Sequence, residues 1–202
     1  MSMKQDRYEV RAARVQDIPD LVAMRLKLEA HVLKRNPVSW EMSEKKIARM
    51  GDYFGREMEH PGSKVLVVQD QESGKVMGMG MGMGMGMGMG MGMGMGMGMG
   101  MGRKFVNDDF IPGVTGRVDD IWIEPEHRRQ GLGSSMVSEL IRFFESEGIR
   151  ALTLDYARGN REAAAFWLGL GFEPVAVWAN AYLKDVKSRL SQGSPASDDA
   201  GH

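Results

Sequence analysis

The residues whose types and spacing could do chemistry begin with the run Arg128-Arg129-Gln130-Gly131-Leu132-Gly133-Ser134. Its two glycines permit a tight turn and let a ligand come close to the backbone. A strongly periodic segment follows: Leu132, Met136, Leu140 and Phe144 fall four apart, flanked by Val137 and Ile141, the spacing of one buried helix face. Amides at the start of such a helix have no intrahelical partner and suit an anion. Arg128 and Arg129 add charge-assisted contacts to phosphate oxygens. The same residues would also serve as a plain strand-to-helix turn with solvated arginines. A dinucleotide fold fits poorly. G-x-G-x-x-G is missing, and Asp155, the acidic residue near the required offset, falls inside the next strand. A second reactive pair, Asp119 and Asp120, lies just upstream. Strand alternation puts Asp119 on a face with Ile121 and Ile123, and Asp120 on the other.

These groups need elements to hold them. Tyr8 to Arg11 reads as a first strand, and Asp17 opens a helix that ends at Asn36-Pro37. A polar, weakly amphipathic helix is expected from about Met42 to Met58. Lys64 to Asp70 is a β-branched strand, and Lys75 begins its hairpin return. Asp108 to Gly116 reads as a loop, Val118 to Ile123 as a strand stopped by Pro125, and Leu132 to Gly148 as a helix. Ala151 to Tyr156 alternates as a strand, and Asn160 caps a short helix through Leu168. Pro174 to Tyr182 reads as strand, bend and strand. This order predicts an α/β fold with a mixed sheet flanked by helices. The unit from 118 to 156 is expected to be a right-handed parallel crossover.

Composition narrows the function. The 202 residues suggest one domain. Lys+Arg is 26 and Asp+Glu 27, so bulk charge gives no nucleic-acid binder. The chain has no cysteine, which excludes zinc-thiolate sites and cysteine nucleophiles; no metal is expected. The start of the sequence has no apolar signal region, and the expectation is a cytoplasmic protein without membrane contact. Thirteen of the 20 methionines and thirteen of the 27 glycines lie in one uninterrupted Met-Gly repeat, Met77 to Gly102. Extended, it would reach about 86 Å, against about 20 Å for an ordinary strand. Its first units are expected to continue the hairpin strand, with Met77, Met79 and Met81 packing inward, and its middle to loop out or fold back. Alternating glycine fixes no geometry for a thioether metal site.

The run Ile121-Trp122-Ile123-Glu124-Pro125-Glu126-His127-Arg128-Arg129-Gln130-Gly131-Leu132-Gly133 resembles the central strand and R-x-x-G-x-G pyrophosphate loop of the GNAT family of acyl-CoA N-acyltransferases. A second block agrees. Leu152 to Asp155, Asn160, Ala163, Phe166, Trp167, Gly171 and Phe172 match the family ending N-x-x-A-x-x-F-Y-x-x-x-G-F with one change. The resemblance covers residues 7–186 as a single GNAT-like domain, with the repeat at 77–102 inserted. Residues 187–202 are expected to be a disordered tail.

The resemblance implies a central twisted mixed sheet and acetyl-CoA as acyl donor. Amides of Arg129, Gln130, Gly131, Leu132, Gly133 and Ser134 would clamp the pyrophosphate beside Arg128. The main chain of Ile121, Trp122 and Ile123 would pair with the pantetheine arm, and Asn160 would contact that arm or cap its helix. The implied reaction is direct transfer of an acetyl group to a primary amine of a small molecule, protein or peptide. Asp119 is the implied base, with Asp120 as runner-up, and the Ile123 amide is the implied oxyanion donor. Trp167 stands where the family carries the tyrosine that protonates the leaving thiolate. Either the thiolate leaves unaided, or Tyr156 or Tyr182 substitutes, or catalysis is lost and Trp167 only walls the channel. The alternative function is a non-catalytic acyl-CoA-binding or sensing module. Arg25, Glu29, His31 and Trp40 are candidates to line the acceptor pocket, and a homodimer is a family expectation.

Overall fold

In a computed structural model the described residues are 7–35, 41–86, 114–177 and 179–192. Trp40 and the middle of the repeat lie outside them. Five strands, β1 (Tyr8–Ala12), β2 (Ser63–Asp70), β3 (Val76–Gly86), β4 (Val114–Ile123) and β5 (Leu152–Thr153), form one sheet in sequence order. The first three pairings are antiparallel, and β4 pairs parallel to β5. The helices are α1 (Ile18–Arg35), α2 (Glu44–Ala48), α3 (Met50–Glu59), α4 (Leu132–Ser146), α5 (Arg161–Gly169) and α6 (Leu183–Ser191).

Two apolar layers enclose the sheet. On one face Leu21 and Met24 of α1 and Met50 and Phe54 of α3 pack on Val65, Val67, Met79, Met81 and Trp122. On the other, Met136, Val137, Leu140 and Phe144 of α4 and Trp167 of α5 pack on Leu66, Val68, Val118 and Ile123. The four-residue spacing seen in the sequence is thus the buried face of α4.

The repeat supplies most of β3, and period two separates its residues. Met79 and Met81 are buried on the α1–α3 side, with Met83 partly buried there. Met77 is only half-buried, since it sits at a register shift between Val68↔Gly78 and Gln69↔Val76. The glycines face α4. A Cβ on Gly82 would come within 2.7 Å of Phe144 Cζ, and one on Gly78 within 2.6 Å of Ile123 Cδ1. α4 therefore rests on bare backbone, which the alternation of a large and a null side chain makes available.

Several expectations need correction. The helix read from Met42 to Met58 breaks at Arg49 (φ −98°, ψ 3°), giving α2 and α3. β4 begins at Val114, inside the stretch read as loop, because residues 114–117 find partners in Gly86 to Met83. β5 is only two residues long. The described residues of 174–182 form no strand, and Val175 and Val177 are exposed. The region expected to be a disordered tail from 187 instead includes the end of α6.

Candidate acyl-transfer site

β4 carries the site. Gly80 opposes Ile121 and Gly82 opposes Val118, so Asp119 and Asp120 together face the single residue Met81. This bulge adds one residue to β4 and shifts the side-chain phase. Val118, Ile121 and Ile123 all join the α4-side core. Asp119 therefore does not share a face with Ile121 and Ile123, as alternation predicts. Asp120 turns toward α1, where Arg25 Nε lies 2.8 Å from Asp120 Oδ2. Arg25 also bonds Glu29 at 3.1 Å. Arg117 Nε donates to Asp119 Oδ1 at 3.2 Å, and the same guanidinium reaches Asp155 at 2.5 Å.

Burial sets the electrostatics here. Desolvation pushes the Asp120 carboxyl up to about 6; Arg25 and Lys46 oppose the rise, while Asp119 and Glu29 add to it. Burial also raises the Tyr53 hydroxyl, with Asp119, Glu57 and Asp120 reinforcing it. Tyr53 stays protonated and donates to Met81 Sδ at 3.7 Å. Lys46 is lowered by burial and by Arg25, against the attraction of Glu29, Asp120 and Asp119. Arg25 thus joins Asp120 to Glu29 on the α1 side of the sheet.

The C-terminal end of β4 leads into the glycine loop before α4. Arg129 (φ 57°) and Gly131 (φ 82°) both take left-handed backbone, and α4 starts at once. Such reversals turn successive amides inward as an anion-binding nest. Gly131 is the N-cap and has no side chain to occupy the first amides, so those of Leu132, Gly133 and Ser134 open toward the loop; the Ser135 amide makes the first bond, 2.9 Å to the Gly131 carbonyl. A Cβ on Gly133 would sit 3.3 Å from Phe166, so this glycine brings α4 against α5. Gln130 lies in the same exposed turn.

Arg128 behaves otherwise. Its Nε donates to the Ile123 carbonyl at 3.0 Å, its Nη1 pairs with Glu162 at 3.0 Å, and its guanidinium lies 4.7 Å over the Trp122 ring. It braces the end of β4 against α5 instead of pointing along the open amides. His31 packs edge-on to Trp122 at 5.5 Å. Burial lowers its pKa, with Arg35 and Arg128 pushing the same way, and it hydrogen-bonds Asn160. His31 therefore sits beside Trp122 and Asn160. Asn160 is a helix cap: its side chain accepts from the Ala163 amide at 3.3 Å. Gly159 meets the end of α1 so closely that a Cβ would lie 2.4 Å from the Arg35 carbonyl oxygen.

Beyond Gly116↔Leu152 and Arg117↔Thr153 no pairing joins β4 to β5. The carboxylates and residues 121–123 follow this divergence, where the main chain of β4 has no strand partner on that side. Trp167 packs between Phe166 (4.8 Å) and Phe172 (5.3 Å) in the α4-side core. Tyr156 is partly buried against that core, and Tyr182 is exposed at the start of α6. Sequence reasoning missed the Arg128–Trp122–His31 stack. Its one signal was the arginine adjoining an aromatic strand, which carries no direction.

Among the described residues no group of three or more His, Asp or Glu could hold a metal, and no helix is long and apolar enough to cross a membrane.

The model of the Acetyltransferase (GNAT) family matches residues 27–172. The chain is 33% identical over 63 residues to the ribosomal protein bS18 alanine N-acetyltransferase of Escherichia coli K12, a match covering 31% of this chain and 43% of that one. It thus spans less than half the length of that relative. The fold resembles the tetramutant of a Bacillus halodurans protein (TM-score 0.64, 18% identity, 87% of this chain and 99% of that one). It also resembles a predicted acetyltransferase with acetyl-CoA from Clostridium acetobutylicum (TM-score 0.63, 14% identity, 88% and 97%). With a family match over most of its length, on the strand and loop just described, the chain belongs to the GNAT acetyltransferases, a family that uses acetyl-CoA.

Proposed function

We propose that this protein transfers an acetyl group directly from acetyl-CoA to an amine. The observation that carries the reading is that one strand, β4, holds both halves of the chemistry. Its bulge presents two carboxylates, and its end leads through a tight loop to a helix start with no side-chain cap. The amides from Arg129 to Ser134 hold the pyrophosphate. The main chain of Ile121 to Ile123 aligns the pantetheine arm where β4 parts from β5.

An amine acceptor arrives as ammonium, with an ordinary pKa near 10. It must lose a proton before its lone pair can attack the thioester carbonyl. Asp120 accepts that proton directly or through one water, and its raised pKa keeps it a competent base near neutrality. Asp119 holds the second negative charge that draws the ammonium in. The Ile123 amide meets the oxyanion as the C–N bond forms. The C–S bond then breaks and the coenzyme leaves as thiolate, whose ordinary pKa of about 8.5 makes unaided departure tolerable. Trp167, packed in the core, contributes no acid to this step.

Acceptors divide into small amines and protein or peptide amino groups. The partial match to an alanine N-acetyltransferase supports including peptide N-termini. The test is coenzyme release from acetyl-CoA against panels of small amines and N-terminal peptides, alongside calorimetric titration of acetyl-CoA. Turnover with any amine supports the reading. Tight coenzyme binding without turnover on any acceptor would instead mark an acyl-CoA-binding module.

A further inference from the structure

The ladder at the end of β4 fixes which way Ile123 faces. The Glu124 amide donates to the Met77 carbonyl at 2.9 Å, and Ile123 stands opposite Gly78. In an antiparallel ladder this makes Ile123 and Gly78 a pair that exchanges no hydrogen bonds, so the amide and carbonyl of Ile123 both point away from β3. They point to the side where pairing with β5 has already ended, its last register being Arg117↔Thr153. Two main-chain groups therefore lie side by side on an open edge. The carbonyl is taken, because Arg128 Nε donates to it at 3.0 Å. The same guanidinium lies 4.7 Å over the Trp122 ring and is tied through Nη1 to Glu162 at 3.0 Å. Contacts to β4 and α5 thus hold a partly buried cation next to the Ile123 amide. Among the described residues its Nη2 makes no hydrogen bond. A guanidinium stays charged in proteins, so this is a fixed positive charge with donors to spare.

We propose that Arg128 is a catalytic residue of the acetyl transfer: its Nη2 donates to the thioester oxygen as negative charge develops there, beside the Ile123 amide. The inference rests on the reading of that amide as the oxyanion donor. The amine lone pair forms the C–N bond, and the carbonyl π pair moves onto oxygen, where an amide dipole and a full positive charge meet it. The pair returns to the carbonyl as the C–S bond breaks, and the sulfur leaves with its bonding electrons. The proton shed by nitrogen goes to Asp120, and Arg128 is unchanged at the end. A fixed cation aimed at developing charge acts without reorganisation, and more strongly away from bulk water than in it. It suits a site in which Trp167, packed in the core, contributes no acid.

The test uses full-length protein and acetyl-CoA labelled isotopically at its thioester carbonyl. Bound to wild type, the labelled carbonyl stretch should fall below that of free acetyl-CoA. Arg128→Gln, which keeps a donor but not the charge, should return the band part of the way. With the amine panel, Arg128→Gln should lose about a hundredfold in kcat, while the acetyl-CoA Kd by calorimetry stays within about threefold, since the contact strengthens only in the transition state. Glu162→Gln cuts the exposed tie to α5 but keeps the cation, and its kcat should stay within about threefold of wild type. An equal loss in both variants makes Arg128 a structural brace and overturns the proposal. So does weaker acetyl-CoA binding with kcat unchanged, which would return Arg128 to the pyrophosphate, or tighter binding with kcat unchanged, which would make it a block on the arm. An unshifted band in wild type overturns it even where Arg128→Gln does not fold. In each of these cases turnover by wild type leaves the transferase reading standing. Acetyl-CoA binding without turnover of any amine ends that reading, and this one with it.

Discussion

Replacing Asp120 by Asn should separate the chemistry from the fold. The carboxyl lies 2.8 Å from Arg25 and is raised from 3.8 to about 6, first by burial. A rise of about two units corresponds to a cost on the order of 3 kcal/mol for the ionised form. The sign follows from proton binding. Between pH 3.8 and about 6 the folded state binds more protons at this group than the unfolded chain, so stability falls as pH rises through that window and the cost is complete above it. Asn removes this penalty but also deprives Arg25 of one partner, leaving Glu29 at 3.1 Å. The pull of Arg25 is already contained in the net rise, so the variant should gain stability near neutrality, by up to about 3 kcal/mol. Turnover should fall about a hundredfold or more, the usual share of a general base. The acidic limb near pH 6 should disappear. The assay is coenzyme release from about pH 5 to 8, paired with denaturant unfolding at each pH. Asp119→Asn is the companion: it removes a charge that raises Asp120, so the limb should move to lower pH. Survival of both the rate and the limb in Asp120→Asn would refute the assignment of the base.

Gly131→Val should weaken acetyl-CoA binding at least about tenfold by calorimetry, because φ of 82° at the head of the open amides disfavours any side chain; unchanged affinity would remove the phosphate assignment. Gly82→Val should destabilise the protein by about 1–3 kcal/mol in chemical denaturation, since its Cβ would come within 2.7 Å of Phe144. Deleting Met83 to Gly94, six whole Met-Gly units, should leave acetyl-CoA affinity and turnover within about threefold and the melting temperature equal or higher, because shorter loops close at an entropic cost lower by less than about 1 kcal/mol.

The parts legible in the sequence were those where one periodicity persists. The α4 stripe and the tight turn before it are legible from spacing, because a helix face repeats without interruption and Gly131 and Gly133 mark the turn. Alternation failed at Asp119 because a bulge inserts one residue without any compositional mark. It failed at Val175 and Val177 for a different reason. They alternate as in a strand, but a strand also needs a neighbouring edge, which local sequence does not report. The break at Arg49 is a matter of backbone angle at a residue with good helix propensity. Arg128 was read as a phosphate ligand because charge is visible in sequence, whereas its direction depends on where Trp122 and Glu162 lie in space.

The Met-Gly strand has an arithmetic of its own. β3 draws on the units from Met77 to Gly86, and the repeat continues unchanged to Gly102. Sliding the chain by one unit returns the same surface to both helical layers: methionine toward α1 and α3, hydrogen toward α4. Gain or loss of a whole unit is therefore silent to the sheet and changes only the span between Gly86 and Val114. A single inserted residue within β3 has the opposite effect. It would drive methionines against Phe144, Met136 and Ile123, where even a Cβ comes within 2.8 Å, and would empty the sites now filled by Met79 and Met81. The strand thus counts its length in pairs, tolerating even changes and rejecting odd ones.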